Sequence, residues 1–397
     1  MKLFFLLPTV LSIPLLSYAM SFNELCNHAY KASAEIIGTD GRIISNTHNK
    51  ASALANEPLL LEGDASGIKG KDSRDSGMRY GAMLNYQLKK PAFVNAQSDQ
   101  YDQNAKTLHQ EIQLQQGLIQ VALKRDWLIT MIEQERIGIL SEKEASAKEG
   151  YGIGQKKVNA GRMSQMELSR LMSELYSATS QRAMGEMELE HAHHGLQEAT
   201  MLHEEIVVDD LHFAFISEDN NTDDRINNAG VLQALNGQID SLTASIKSAR
   251  YQGNESIGLG AGATHEPTQN SIDFRISVPL VWSEKNDRKI AALMSEKSAL
   301  IHRREVTHQK LRMNIHTLLE HLETREKHFK ESMVTQKHQK TLMEMAQKGY
   351  DGGVVSQFEY LATKNSYYDA RLRAIELKRE YIQEMSAIEE KLGRIWE

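Results

Sequence analysis

Two kinds of hydrophobic pattern alternate along the 397-residue chain. In four short segments, apolar and polar residues alternate with a period of two, which is typical of β-strands. The clearest is NSIDFRISVPLVW, which sets apolar against polar side chains (Ile272, Phe274, Ile276 and Val278 against Ser271, Asp273, Arg275 and Ser277). The segments group in pairs, so they predict two hairpins, at about 57–89 and 256–282.

Long proline-free stretches follow both hairpins. No proline lies between Pro91 and Pro267 or after Pro279. Because a proline inside a helix costs about 3 kcal/mol, both stretches can be continuously helical. They predict helices from Ala92 to about 160 and from Ser283 to about 349, each about 90–100 Å long. In the second stretch, apolar residues at heptad spacing predict a coiled-coil-like pair (Leu311, Ile315, Leu318, Leu322, Phe329 and Met333).

One motif occurs twice, 192 positions apart. The windows 155–178 and 347–370 share 8 of 24 residues around a Gly-x-x-Ser-Gln-x-Glu core. The glycines suit a helix end with positive φ, and each Ser with Glu three residues later suits a capping box. Each copy therefore predicts a tight turn between two antiparallel helices. For Glu167 and Glu359, helix capping and the lining of a pore are equally open.

The N-terminus and the composition narrow the class of protein. Residues 1–19 combine Lys2, an apolar run and the exit Ser17-Tyr18-Ala19, which predicts a secretory signal peptide; a membrane anchor is the alternative. A single cysteine, Cys26, excludes a disulfide-stapled scaffold. The net charge of −7 argues against a nucleic-acid binder.

Several motifs contain residue types that occur in phosphate-binding or metal-binding sites, but none of them indicates a reaction. EGYGIG, at 149–154, lacks the strand and Lys-Ser/Thr of a phosphate loop, and we interpret it as a loosened stretch of helix before the turn. His191 and His194 have a spacing that can ligate zinc, but a solvated helix face explains them better. We predict no catalytic residues, no cofactor, no metal site and no enzyme activity.

The order of these features resembles the TolC-type outer-membrane efflux channels over nearly the whole chain after residue 19. Each half has a helix, a hairpin, a long helix, a tight turn and a return helix. The second turn matches the pattern Y-x-x-G-x-x-S-x-x-E (Tyr350, Gly353, Ser356 and Glu359). Pro279 in ISVPLVW, like Pro91 after the first hairpin, stands where that family's strands join its helices.

The resemblance implies a mainly α fold with a small β part and two pseudo-repeats. Long antiparallel helical hairpins of a homotrimer would form an α-barrel tunnel across the periplasm. Four strands per chain would contribute to a shared 12-stranded β-barrel in the outer membrane. The first pseudo-repeat would span 20–210, with its turn near 161, and the second 211–397, with its turn near 353.

The resemblance also assigns candidate site residues. Six would lie at the periplasmic aperture (Tyr350, Gly353, Glu359, Gly161, Arg162 and Glu167). Asp273 and Arg275 would line the barrel lumen. Val354 and Val355 stand where the best-known member has a latch arginine, and Ala362 replaces its second carboxylate. An arginine latch is therefore not expected here, and one acidic ring is expected rather than two.

The function implied is a passive exit duct for small molecules or metal ions. Its partners would be a periplasmic adaptor (a membrane fusion protein), an inner-membrane pump of RND or ABC type, and outer-membrane lipid, but no nucleic acid. Two alternatives remain open. One is a periplasmic coiled-coil adaptor or interaction protein, and the other is a duct dedicated to type I protein secretion.

Overall fold

The computed structural model describes residues 20–69, 77–203, 206–208, 215–216, 219, 221–279 and 284–396. The predicted signal peptide, the first hairpin's loop at 70–76, the stretch 280–283 and the predicted repeat boundary at 210/211 lie outside the described residues. The helices and strands are, in order, α1 (Phe22–Ala32), α2 (Ala34–Leu54), β1 (Leu60–Ile68), β2 (Gly77–Lys89), α3 (Pro91–Asn159), α4 (Gln165–Thr200), α5 (Thr222–Asn227), α6 (Gly230–Tyr251), β3 (Ser256–His265), β4 (Asn270–Ser277), α7 (Glu284–Asp351) and α8 (Gln357–Leu392).

The two hairpins join into one antiparallel sheet with the strand order β1-β2-β3-β4. The central pairing of β2 with β3 runs from Tyr80 opposite His265 to Lys89 opposite Ser256. Side chains of paired residues point to the same face of the sheet, so the register shows which side chains share each face. One face carries large apolar side chains that are 42–82% exposed (Leu61, Tyr80, Leu84, Leu88, Leu259, Ile272, Phe274 and Ile276).

The opposite face of the sheet is polar and contains glycines. A Cβ atom on Gly260 would lie 2.6 Å from Asn85 Oδ1, and one on Gly81 would lie 2.2 Å from Asp64 Oδ1. Real Cβ atoms do not approach other atoms this closely, so glycine makes room for the polar side chains of the neighbouring strands. This face is therefore both polar and sterically crowded.

The helices form a single layer that continues from the sheet. Next to the sheet, α3 packs between α2 and α6, and α6 packs on α7. Towards the far end, α3 packs between α4 and α8, and α8 packs on α7. With 69 and 68 residues, α3 and α7 run the length of the helical layer, about 100 Å at 1.5 Å per residue.

The largest apolar cluster lies halfway along the helices, where α3, α5, α6, α7 and α8 converge. Tyr381 on α8 is fully buried in it, and its hydroxyl accepts a hydrogen bond of 2.7 Å from the Ile216 N–H. Burial raises the pKa of Tyr381 to about 12. A second cluster packs α1 against α3 through Leu25, Leu123 and Trp127.

The long helices match the sequence prediction to within a few residues, with two corrections. The sequence predicts return helices over about 165–202 and 357–396, but α8 ends at Leu392, because Gly393 adopts φ +71° and the Arg394 N–H bonds back to the Glu389 carbonyl. The buried stripe of α7 is Leu311, Ile315, Leu319 and Leu322, whereas Met333 is 46% exposed. Towards its far end α7 packs on α8, and this one-sided contact leaves its other face uncovered.

No helix within the described ranges is both long and apolar enough to cross a membrane.

Three glycines allow the chain segments to cross at close range beside the central cluster. A Cβ atom on Gly117 of α3 would lie 1.9 Å from the Gly393 carbonyl oxygen. A Cβ atom on Gly230, at the start of α6, would lie 2.9 Å from Leu114 Cδ1. The end of α8 therefore rests directly on the backbone of α3.

We expect Gly117→Ala to lower the free energy of unfolding by about 1–3 kcal/mol, because the new methyl group overpacks this crossing. Gly138, in the same helix, has no atom within 4 Å of the corresponding Cβ position. Gly138→Ala is the matched control and should raise stability by about 0.5–1 kcal/mol through helix propensity. Thermal unfolding followed by circular dichroism in detergent measures both, and equal effects would contradict the close crossing.

Candidate functional site

The first predicted turn, between α3 and α4, is closed by hydrogen bonds at both helix ends. Gly161 has φ +66°, and the Arg162 N–H bonds to the Lys157 carbonyl at 2.8 Å. Ser164 then begins α4 with a complete capping box. Its hydroxyl accepts from the Glu167 N–H at 3.2 Å, and the Glu167 carboxylate accepts from the Ser164 N–H at 2.9 Å. The Glu167 carboxylate is therefore engaged in capping.

The second turn, between α7 and α8, repeats this geometry only in part. Gly353 has φ +73°, and the Val354 N–H bonds to the Gly349 carbonyl at 2.8 Å. Ser356 accepts from the Glu359 N–H at 3.2 Å. In the described part of the chain, the Glu359 carboxylate accepts no hydrogen bond in return and is exposed. The structure thus separates two glutamates that the sequence left equivalent.

The capping box also sets the electrostatics of Glu167. Hydrogen bonds from the backbone and the hydroxyl of Ser164 favour the carboxylate, so they lower the pKa of Glu167 below its usual value. Because the pKa is lowered in the folded state, the stabilisation is present at neutral pH and is lost as the pH falls through the folded-state pKa.

Tyr350 links the two turns. Its ring stacks on Tyr360, with centroids 5.4 Å apart and planes at 10°. Lys157, at the end of α3, lies with Nζ 5.6 Å from the Tyr350 centroid, and Lys364 lies 5.7 Å from the Tyr360 centroid. Two ammonium groups therefore flank a pair of stacked rings, a geometry that favours cation–π attraction. Sequence analysis found neither lysine. Lys364 lies four residues after Tyr360 in α8, a spacing that could have indicated the contact, whereas Lys157 and Tyr350 lie on different helices, which no spacing rule connects.

A groove of about 350 Å³ opens beside this stack, between α3, α7 and α8. Burial and the nearby carboxylates of Glu149 and Asp351 raise the pKa of Tyr360. Gln357 lines the groove, is 6% exposed and donates from Nε2 to the Gly150 carbonyl at 3.2 Å. The groove is thus tyrosine-rich and carries negative charge.

The interpretation of EGYGIG as loosened helix is wrong, since α3 continues without a break to Asn159. Two of its glycines, Gly150 and Gly154, admit neighbouring helices instead. A Cβ atom on Gly150 would lie 3.1 Å from Leu361 Cδ1, and one on Gly154 would lie 2.6 Å from Leu171 Cδ1. The spacing of four residues, one helical turn, was the signal for close packing.

The candidate lumen residues lie on the polar face of the sheet. Asp273 accepts a hydrogen bond of 2.9 Å from the Thr264 hydroxyl on the adjacent strand. Arg275 lies opposite Gly260 and is exposed. Near the hairpin loops, the Arg79 guanidinium lies 3.6 Å from Glu266.

The two junction prolines occupy different positions. Pro91 is the first residue of α3, where a missing N–H costs nothing, and the preceding Lys90 N–H bonds to the Glu255 carbonyl at 2.8 Å. Pro279 is exposed and follows β4, which ends at Ser277.

We expect Glu167→Gln to speed amide hydrogen exchange in the first turn of α4, because it removes the charged half of the capping box. Glu359→Gln is the matched control and should leave exchange in the first turn of α8 unchanged. In the parent protein, the protection factor of these α4 amides, which corrects for the slower intrinsic exchange at low pH, should also fall as the pH drops below the usual range for glutamate. Exchange mass spectrometry measures both turns, and equal responses would contradict the asymmetry.

Comparison with known proteins identifies solved structures that share the fold, but no protein that is related by sequence. No protein-family model matches the sequence, and no curated protein matches it. Among solved structures, the chain is similar to CusC, whose crystal structures concern transmembrane channel formation (15% identity, 94% of this chain and 92% of that chain, TM-score 0.72). It is similar to the outer-membrane channel CmeC of Campylobacter jejuni (14% identity, 94% and 85%, TM-score 0.68). It is also similar to the open state of the MtrE outer-membrane channel of Neisseria gonorrhoeae (15% identity, 94% and 89%, TM-score 0.64).

These matches extend over the sheet, the long helices and both turns, and they agree with the TolC-type resemblance of the sequence. The chain has the fold of the outer-membrane efflux channels.

Proposed function

We propose that the protein is a passive outer-membrane duct of a tripartite efflux system. One observation supports this above all others: the sheet exposes its whole apolar face. Exposed apolar patches on soluble monomers rarely exceed a few hundred Å². Phe274 and Ile276 are 82% and 74% exposed, so this face requires a lipid environment or a partner.

The apolar stripe of β2 runs from Met78 to Leu88, about 33 Å along the strand at 3.3 Å per residue and about 25 Å in height at a strand tilt of about 40°. Tyr80 and Tyr86 lie six residues apart on β2, about 20 Å at 3.3 Å per residue. Outer-membrane strands present an apolar band about 25 Å tall with aromatic residues at both borders. Leu84 lies between the two tyrosines, so β2 follows this arrangement.

The free edges of the sheet indicate how a barrel would close. Among the described strands, β1 and β4 each pair on one side only. Unpaired backbone groups are not tolerated in lipid, and the smallest membrane barrels have about eight strands. Several copies must therefore share one barrel. The TolC-type resemblance implies three copies and 12 strands, and we adopt that number.

The helical layer would continue the barrel as a tunnel into the periplasm. At about 100 Å, α3 and α7 are long enough to carry the two turns far from the membrane. A periplasmic adaptor and an inner-membrane pump of RND or ABC type would engage this end and supply the energy. Opening would then be a shift between two packings of the helices at the turns.

At the aperture, Glu359 would supply the charge. Its carboxylate is exposed and unpaired within the described ranges, whereas Glu167 caps a helix. Beside it Val354 is 87% exposed, so an apolar side chain stands where an arginine latch would otherwise sit. Three copies would give one acidic ring.

In the barrel, Asp273 and Arg275 would line the lumen. The cargo would be small molecules or metal ions selected by the pump.

A soluble periplasmic adaptor is the weaker hypothesis because it leaves the apolar sheet uncovered. A duct dedicated to type I protein secretion would use the same geometry.

The first test is the mass of the protein extracted from membranes in mild detergent. Light scattering should give three chains, recovered with the outer-membrane fraction, because one sheet cannot close alone. A soluble monomer or dimer in the periplasmic extract would exclude the channel and favour the coiled-coil adaptor.

The second test is ion selectivity in planar bilayers. We expect Glu359→Gln to shift the cation-to-anion permeability ratio towards one, because the variant removes the acidic ring. Glu167→Gln is the control at the equivalent position of the first repeat and should shift the ratio less, because this carboxylate is folded back on its own helix. Loss of selectivity in the control, but not in Glu359→Gln, would exclude the proposed assignment.

A further inference from the structure

A pocket of about 360 Å³ lies halfway along the helices, where the end of α8 and the start of α6 meet on α3. Tyr30 of α1 also lines this pocket. Half of the lining residues carry a side-chain amide (Gln110, Gln113, Gln116, Gln120, Asn228 and Gln233). An amide both donates and accepts hydrogen bonds without carrying charge. The pocket is therefore polar but largely neutral.

The sequence of α3 concentrates these amides on one face of the helix. Gln110, Gln113, Gly117 and Gln120 follow one another at intervals of three and four residues, which keeps them on the same side. Residues 112–123 contain no charged side chain, although 25% of the chain is charged. Ion pairs resume on both sides of this stretch (Arg42–Glu111 and Lys124–Glu389). The neutral stretch of α3 thus coincides with the pocket.

The floor of the pocket is backbone rather than side chain. Gly117, Gly230 and Gly393 all belong to its lining. A Cβ atom on Gly393 would lie 2.4 Å from Leu114 Cδ1, and the other two glycines are equally restricted. Because glycine is required at all three positions, the polar side chains stand around a shallow floor that no side chain fills.

The lining has hydrogen-bonding groups to offer to a ligand. Gln120 hydrogen-bonds to the Tyr30 hydroxyl. Within the described ranges, the Gln113 and Gln116 amides make no hydrogen bond to the protein. Each of them can therefore present one carbonyl oxygen and one NH₂ group to a bound molecule.

This lining disfavours ions as ligands. No carboxylate belongs to the described lining, so a cation finds no counter-charge there. The guanidinium of Arg394 is exposed, and a single exposed charge holds an anion weakly. Burial raises the pKa of Tyr30 to about 12, so its hydroxyl stays neutral at physiological pH.

The lining also disfavours a peptide. Peptides are recognised at free strand edges, in apolar or aromatic-lined grooves, or by clusters of arginine, and the described lining contains none of these. A sugar that carries an acetamido group fits better. Its amide can pair with a glutamine amide through both donor and acceptor, and the C–H face of its ring can pack on a tyrosine ring.

We propose that this pocket binds a glycan whose sugars carry acetamido groups. Its volume suits about one or two sugar rings, since small-ligand pockets begin near 300 Å³. Gln113 and Gln116 hydrogen-bond to the acetamido and hydroxyl groups, and Tyr30 packs against a ring. Gly117 lies about 40 Å along α3 from Pro91, so the pocket is periplasmic in the proposed duct. Only that location rests on the proposed function, because the pocket lies within one chain.

Calorimetric titration tests the class of ligand. The full-length protein is extracted from membranes in a detergent without sugar groups, which would compete for the pocket. The trisaccharide of N-acetylglucosamine should bind at one site per chain. Maltotriose has as many rings but no acetamido group, and it should bind at least about ten-fold more weakly, as expected when hydrogen bonds to the amides are lost.

Two substitutions test the residues. Gln113→Met and Gln116→Met remove one amide each but keep the length and the helix propensity of the side chain. Each should raise the Kd for the trisaccharide roughly five- to ten-fold, the effect of about one hydrogen bond. Gln115→Met is the matched control, because Gln115 lies in the same stretch of α3 but outside the lining, and it should leave the Kd unchanged. Circular dichroism verifies that all three variants fold.

Purified cell-wall sacculi separate two sources of such a glycan. Cosedimentation that the trisaccharide competes away would identify the polymeric cell wall as the ligand. Trisaccharide binding without cosedimentation would identify free fragments, and either result supports the pocket.

Three results would overturn the proposal: no saturable binding of the trisaccharide, equal binding of maltotriose, or an equal loss of affinity in Gln115→Met. The mass of the protein in detergent is an independent measurement. A monomer that binds the trisaccharide would overturn the duct and leave the pocket intact, whereas a trimer that does not bind it would overturn the pocket alone.

Discussion

The architecture depends on one constraint: the chain folds into a single layer. Most domains bury apolar surface between two packed layers, but here the described residues place no helix over the apolar face of the four-stranded sheet. The helical layer that continues from the sheet is also incompletely buried, because the helices at its edges keep large apolar side chains exposed. In the duct that we propose, lipid would cover the sheet and other copies of the chain would cover the edges. The proposed membrane location and the proposed assembly therefore answer the same deficit of burial.

Within the layer, the two halves of the chain are similar in path but different in chemistry. The first turn has a complete capping box, while the second leaves Glu359 unpaired among the described residues. The helix contact inside the chain uses ion pairs that include the nearly buried Glu133, held by Arg136 and Arg379. The exposed edges of the helical layer instead carry scattered apolar side chains, among them Met184 and Val334. The duplicated backbone thus carries different chemistry at its inner contact and at its borders.

Glycine sets how closely the layer packs. Gly117 and Gly393 bring the end of α8 onto α3 at the middle of the molecule, and Gly150 and Gly154 admit α8 and α4 near the turns. On the sheet, Gly81 and Gly260 leave room for the polar side chains that line one face. These positions are far apart in sequence, yet each allows one backbone to approach another element.

The sequence alone determined the strands, the long helices, the two turns and their order. Period-two alternation marked the strands, the absence of proline marked the long helices, and the repeated Gly-x-x-Ser-Gln-x-Glu marked the turns, because each of these signals is local. The sequence could not show that the Glu167 carboxylate caps its helix whereas that of Glu359 does not, since capping depends on how the carboxylate folds back on its own helix. It also missed the stacking of Tyr350 on Tyr360 beside Lys157, and it misinterpreted the glycines of EGYGIG. Those features arise where separate helices meet, and only the tertiary structure decides which side chains meet there.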